Sequence, residues 1–239
     1  MDKALVERFI SKYNLAGAAE AVILQASDKG LKTKFISDDK NVLGIVQASK
    51  IELEEGEYGI YDTAQLRSLL GVLEDAIKIK VTKKDGKPTG FLLSDTGTKV
   101  TYVLADKANI PAVPDLKSLP EADVVIKVDS HFLNTFVKAK GALTEVETFT
   151  VLSDGKKTDI VIGYSELNTN RVSFHVDTES AEPIDPISFD ARYLREILIA
   201  NKEMKSGTLK IASKGIAIVT FDVEDFEVSY YLVKKDRQD

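Results

Sequence analysis

Three acidic clusters, Asp38-Asp39, Glu52-Glu54-Glu55 and Asp222-Glu224-Asp225, are the first places where this sequence could do chemistry. Paired carboxylates can move protons or hold a divalent cation. Proton transfer often recruits an imidazole, and the chain's two histidines, His131 and His175, lie far from these clusters in sequence, although two carboxylates brought together by folding could still hold a metal. The clusters fall in turns or flank strand-like stretches, which fits solvated charge. The absence of cysteine excludes disulfides, thiolate zinc sites, iron–sulfur clusters and a cysteine nucleophile. No G-x-x-x-x-G-K-[ST], G-x-G-x-x-G, G-x-S-x-G or H-E-x-x-H pattern occurs. The expectation is a protein that is not an enzyme and needs no cofactor.

The chemistry that remains is electrostatic. Lys3, Arg8, Lys12, Arg67, Lys138, Arg192, Arg195 and Lys202 fall at matching offsets from four aspartates, Asp2, Asp62, Asp129 and Asp190. Only three acids, Glu7, Glu74 and Glu196, share those offsets, a local surplus of five positive charges. The whole chain has 32 Lys and Arg against 38 Asp and Glu, a net charge of -6, so the remainder carries -11. A basic face on an acidic body suits a phosphate backbone approached from one side, with salt-sensitive and sequence-independent attraction. His131 shares this face, while His175, between Phe174 and Val176, is expected to serve structure.

These residues need elements to carry them. Counting from each Asp, positions +3, +4, +7 and +8 are Leu5, Val6, Phe9, Ile10; Gln65, Leu66, Leu69, Leu70; Phe132, Leu133, Phe136, Val137; and Tyr193, Leu194, Ile197, Leu198. All but Gln65 are apolar or aromatic, which places one apolar stripe along one side of a helix. An Asp at the start can cap the free amides and oppose the helix dipole. Met1, Tyr61, Val128 or Phe189 precedes each Asp, positioned to pack back as a staple. The pattern predicts four amphipathic helices near 2–14, 62–74, 129–141 and 190–202.

The segments C-terminal to the four helices repeat as well. Alternating apolar stretches such as Ile77, Ile79, Val81 and Leu209, Ile211 read as half-buried antiparallel strands. Asp28-Lys29-Gly30, Asp85-Gly86, Asp154-Gly155 and Ser213-Lys214-Gly215 are suited to tight hairpins. A third strand closes each copy near 41–48, 98–104, 171–177 and 226–233, and a leading strand such as 124–128 precedes each later helix. The unit is β-α-β-β-β, used four times, with the first copy lacking its leading strand.

A proline-rich stretch from Ala108 to Pro120 holds three of the six prolines and reads as a stiff linker. The expected organisation is an N-terminal domain over 1–107, a linker over 108–121 and a C-terminal domain over 122–239. Pro183 and Pro186 are expected to mark a loop between the third and fourth copies. Hydrophobic residues make up 44% and charged residues 29%, the profile of a folded globular chain. No apolar run approaches a membrane span and the first residues lack a secretory pattern, so the expectation is a cytoplasmic protein with no membrane partner.

In this arrangement the chain resembles the DNA sliding clamps, especially the T4-type bacteriophage clamp and its relatives, the proliferating-cell nuclear antigens. The resemblance spans the chain in architecture. It is clearest in Gly59-Ile60-Tyr61-Asp62 running to Leu69-Leu70-Gly71-Val72-Leu73, and from Phe189-Asp190 through Ser206-Gly207-Thr208-Leu209 to Tyr230-Tyr231-Leu232-Val233. It implies an α+β clamp fold of two similar domains, each built from two β-α-β-β-β units. The helices would line the inside of a homotrimeric ring with antiparallel sheets outside. It further implies a DNA polymerase processivity factor that encircles double-stranded DNA non-specifically, in the host cytoplasm if viral. Head-to-tail pairing of the strand near 98–104 with that near 171–177 of a neighbouring subunit would close the ring. Partners would be a DNA polymerase and an ATP-dependent clamp loader, since this chain has no nucleotide-binding motif. A partner peptide would dock at Ile110, Val113, Leu116, Leu119 and Tyr231.

Two other readings compete. A monomeric open-face processivity factor would need a stronger basic surplus than a chain at -6 provides. A β-rich phage structural protein would share the strand content, with no reason to place basic residues on all four helices.

Overall fold

The computed structural model describes residues 1–116, 118–165 and 169–236; Lys117 of the expected linker lies outside them. The chain divides into two compact units. Unit 1 comprises Met1–Asp38, Gly44–Pro114 and Asp225–Val228; unit 2 comprises Asp39–Leu43, Asp115–Glu224 and Ser229–Asp239.

Unit 1 begins with α1 (Lys3–Asn14), whose stripe buries Val6, Phe9, Ile10 and Tyr13. Its C-terminus unwinds through left-handed Leu15, Ala16 and Gly17 (φ 46°, 57° and 97°). The Asn14 side chain closes that turn, accepting from the Gly17 amide and donating to the Ala19 carbonyl. Strands β1 (Val22–Ser27), β2 (Gly30–Ile36), β3 (Val42–Ala48) and β4 (Gly56–Ile60) come next, in the order β3-β2-β1-β4. Ile23 pairs with Lys34 and with Gly59, fixing the register on both sides of β1.

The second helix, α2 (Thr63–Leu70), ends four residues before the expected limit. Gly71 donates back to the Arg67 carbonyl and Leu73 to the Leu70 carbonyl, so the last residues form a tight turn instead of another helical one. A second sheet contains β5 (Lys78–Lys84), β6 (Lys87–Ser94) and β7 (Lys99–Val103), antiparallel in that order. Asp85 and Gly86 both have positive φ (52° and 77°), as a two-residue hairpin of matching twist requires.

Unit 2 repeats the plan. β8 (Val124–Val128) leads into α3 (Ser130–Ala142), then β9 (Thr148–Asp154), β10 (Thr158–Ile162) and β11 (Val172–His175). The rest is β12 (Thr178–Ala181), β13 (Pro183–Asp190), α4 (Ala191–Ala200), β14 (Ser206–Ala212), β15 (Ile216–Val223) and β16 (Phe226–Val233), whose residues from Ser229 onward belong here. One sheet runs β12-β8-β14-β15-β16 and the other β11-β10-β9-β13. Phe132, Phe136, Phe149 and Phe189 form a chain of ring contacts at 5.4 to 6.1 Å that joins α3 to the second sheet. Burying rings of this size is worth roughly 1.5–3 kcal/mol each.

Two expectations fail here. Pro183 and Pro186 lie within β13, not in a loop; β13 is an edge strand and its register shifts between Ile184 and Ile187, which accommodates residues lacking an amide hydrogen. The short strand β12 has no counterpart in the sequence pattern. It reaches β8 through a shifted register between Thr178 and Ser180. The four-fold β-α-β-β-β plan otherwise stands, an α+β fold with antiparallel sheets. Among the described residues no helix is long and apolar enough to cross a membrane.

Candidate nucleic-acid interface

The four helices begin alike. Asp2 accepts from the Ala4 amide, Asp62 from Gln65, Asp129 from Phe132, and Asp190 from Arg192 and Tyr193, at 2.7 to 3.1 Å. Helix N-termini are ready-made phosphate sites. Here each already holds its own carboxylate, so any attraction for a polyanion must come from side chains on the helix flanks. Attraction between exposed charges of this kind is screened by salt.

In unit 1, α1 packs beside α2. Lys3 is half-buried, its ammonium donating to the Leu73 carbonyl at 2.6 Å. The Arg8 guanidinium lies 4.9 Å from the centre of the Phe226 ring, and the Lys12 ammonium 4.8 Å from the same centre. Lys12 is 0% exposed. Its assignment to the solvent face is therefore corrected: position +10 turns inward at the end of α1, where the ring of Phe226 receives the cation. Arg67 is exposed on α2 and shares a hollow with Glu7 and Glu20.

In unit 2, α3 packs beside α4. Lys138 and Lys202 are exposed. Arg192 is exposed but faces carboxylates, with Nη2 3.5 Å from Asp39 Oδ2 and 3.7 Å from Asp190 Oδ2. Arg195 pairs with Glu196 beside it on the helix. Lys140, one position outside the offsets chosen from the sequence, is buried and donates to the Thr144 carbonyl at 2.8 Å. Burial, then the nearby Arg195 charge, holds its ammonium below the usual lysine pKa. The exposed basic set is thus smaller than the sequence suggests: Arg67, Lys138 and Lys202 are the members exposed without an ion pair among the described residues.

Two of the sheets end in edge strands, β5 and β7 in one and β11 and β13 in the other. β7 ends the β5-β6-β7 sheet and presents Lys99, Thr101 and Val103 outward, Val103 at 73% exposure. β11 ends the β11-β10-β9-β13 sheet, with Ser173 and His175 exposed. His175 is therefore not a core residue; its Nδ1 lies 3.3 Å from Asp159 Oδ1. Both histidines line one cavity of about 580 Å³ in unit 2, with Phe132 and Phe174 on its apolar side. The residues proposed for a partner peptide divide between the units. Ile110 is buried in unit 1, where it reaches Gly59; a Cβ at Gly59 would also lie 2.5 Å from the Ala105 carbonyl oxygen, so this glycine lets the chain after β7 press against β4. Val113 is half-buried in unit 1, whereas Leu116 and Leu119 are exposed and Tyr231 half-buried in unit 2.

No protein-family model matches the sequence, and no curated protein matches it. Among solved structures, the chain is similar to proliferating cellular nuclear antigen from Entamoeba histolytica, with a TM-score of 0.75 and 17% identity over 98% of this chain and 96% of that one. The two proteins share the clamp fold. At this identity the likeness concerns the path of the backbone.

Proposed function

We propose that this protein is a DNA sliding clamp, a processivity factor that assembles as a homotrimeric ring around duplex DNA and tethers a replicative polymerase after loading by an ATP-dependent loader. The observation that carries this reading is the likeness of the whole backbone to a proliferating cellular nuclear antigen. The free edges of β7 and β11 support it. Pairing β7 of one copy with β11 of the next would give the edge groups of those two strands partners and join the copies head to tail. The phage affiliation rests on the sequence resemblance alone.

In this reading the DNA-facing residues are Arg67, Lys138 and Lys202, with Lys3, Arg8, Arg192 and Arg195 contributing through contacts that also engage the protein. A few exposed cations suit a clamp. A ring held by topology needs weak, non-specific attraction, because tight phosphate contacts would oppose sliding. The linker over 108–121 would separate the domains 1–107 and 122–239. Of the residues expected to receive a partner's apolar peptide, Leu116, Leu119 and Tyr231 belong to unit 2 and would be its contacts there, while Ile110 and Val113 belong to unit 1. The overall charge of -6 favours encirclement over an open-face monomer, which would need stronger attraction to stay bound.

Light scattering after size exclusion, over a dilution series at moderate salt, tests the assembly. A mass of three subunits that falls only on strong dilution is expected, and Val103→Asp at the β7 edge should shift it toward one subunit. A monomer at every concentration would overturn the closed ring.

A further inference from the structure

The loop between β2 and β3 delivers a carboxylate to the start of α4. Tyr193 Oη donates to Asp39 Oδ1 at 2.8 Å, and the Asn41 backbone amide and side-chain amide donate to the two carboxylate oxygens at 3.2 and 3.0 Å. Tyr193 is itself buried, so the carboxylate is fixed from beneath. Above it, the Arg192 guanidinium lies 4.6 Å from the centre of the Tyr193 ring. Ring and carboxylate thus define one seat for the cation, all within unit 2.

The ion pair in that seat is loose. Arg192 Nη2 stands 3.5 Å from Asp39 and 3.7 Å from Asp190, beyond the roughly 2.7–2.9 Å of a strong charge-assisted hydrogen bond. Asp190 is already engaged by Lys235 at 3.0 Å and by two helix amides. The Arg192 side chain is 60% exposed. A guanidinium placed this way is aimed by the ring, weakly held by a carboxylate and open to solvent. A second anion can approach it without any rearrangement of the backbone.

We infer that Asp39 is an internal competitor for the DNA phosphate at Arg192, occupying the arginine when DNA is absent and yielding it when a phosphodiester oxygen arrives. The inference rests on the DNA-facing reading above and adds to it a limit on grip. Each phosphate that engages Arg192 must displace a carboxylate fixed in place by Tyr193 and Asn41, so the arginine contributes less than a solvated one. Loose contact is thereby set by a named residue, not only by a low count of cations.

The experiment is a titration of the full-length protein with a short blunt duplex, monitored by fluorescence anisotropy at several potassium chloride concentrations. Asp39→Asn retains an oxygen for the Tyr193 hydroxyl and the Asn41 amide while removing the charge. It should tighten binding about two- to fivefold at low salt, the range of an exposed ion pair, and should steepen the dependence on salt by up to about one ion per site. Asp38→Asn removes the same charge one residue away and should have less effect. In an Arg192→Ala background the gain from Asp39→Asn should vanish. Tyr193→Phe, which removes one of the donors that hold Asp39 while Asn41 remains, should move binding in the same direction by less. Thermal unfolding of each variant confirms that it is folded.

Equal effects of Asp39→Asn and Asp38→Asn, or a gain that survives Arg192→Ala, would overturn the inference while leaving the DNA-facing reading intact. If Arg67→Ala and Lys138→Ala also leave the titration unchanged, the DNA-facing reading itself fails and takes the inference with it.

Discussion

The Lys12 ammonium of unit 1 rests buried against the Phe226 ring, whereas the Arg192 guanidinium of unit 2 sits exposed between an aromatic ring and two carboxylates. Both side chains belong to the same sequence pattern, basic residues on the outer offsets of a repeated helix. The Phe226 ring attracts the Lys12 cation through the negative face of its π-system, whereas carboxylates hold Arg192 by opposite charge. The first arrangement makes a lysine part of the core, and the second makes an arginine part of an exchange equilibrium. Basic residues on the outer side of a repeated helix can therefore serve stability in one unit and ligand contact in the other.

The largest effect should come from breaking the unit 1 seat. Lys12→Glu places an anion against the negative face of an aromatic ring in a buried position, at a cost of about 3 kcal/mol or more. Thermal unfolding should shift downward by roughly 6–12 °C for a chain of this size. Lys12→Met keeps the stem and should lose less than half as much. An unshifted midpoint in Lys12→Glu would mean that the ring does not hold the cation. Next in size is the exposed set. Arg67→Glu with Lys138→Glu should weaken duplex binding by about tenfold at low salt, while trimer mass by light scattering is unchanged. Arg192→Ala should weaken the same binding less than Lys138→Ala does, because its charge is already shared with Asp39; equal losses would place the two cations on the same footing.

Much of the fold is legible in the sequence because its repeated signals are local. The Asp caps and the +4 and +8 apolar residues require only one helix to be visible, and all four helices start where expected. Glycines such as Gly86 mark hairpins for the same reason. The failures involve partners distant in sequence. Nothing near Lys12 announces Phe226, and nothing near Arg192 announces Asp39, so two members of a sequence-defined basic face are a buried cation and a carboxylate-paired one. Asp38-Asp39 reads as solvated charge, yet only Asp38 is left in that role, since Asp39 reaches Tyr193 and Arg192. Lys140 escapes the pattern because it lies at +11 from Asp129, an inward offset between +10 and +12, which were both counted as outward. Pro183 and Pro186 suggest a loop, but an edge strand with a shifted register tolerates what a central strand would not.

The smallest expected effect concerns a device that the two units share. Asp95 in unit 1 accepts amides of Glu74, Gly97 and Thr98 at 2.6 to 2.9 Å, and Asp154 in unit 2 accepts amides of Lys156 and Lys157 at 2.7 and 2.8 Å. These bonds favour the ionised form and hold both carboxyls below the usual Asp pKa. A lowered folded-state pKa means that the stabilisation is fully present above the unfolded value of about 3.9 and is lost as pH falls through the folded one. Asp95→Asn and Asp154→Asn should each be slightly less stable than the parent near neutrality, and the gap should close as the medium is acidified below about pH 4. Denaturant midpoints measured across that range check the sign. A gap that widens in acid would mean that the amides do not select the charged carboxylate, and a gap in only one unit would show that three accepted amides at Asp95 and two at Asp154 carry different weight.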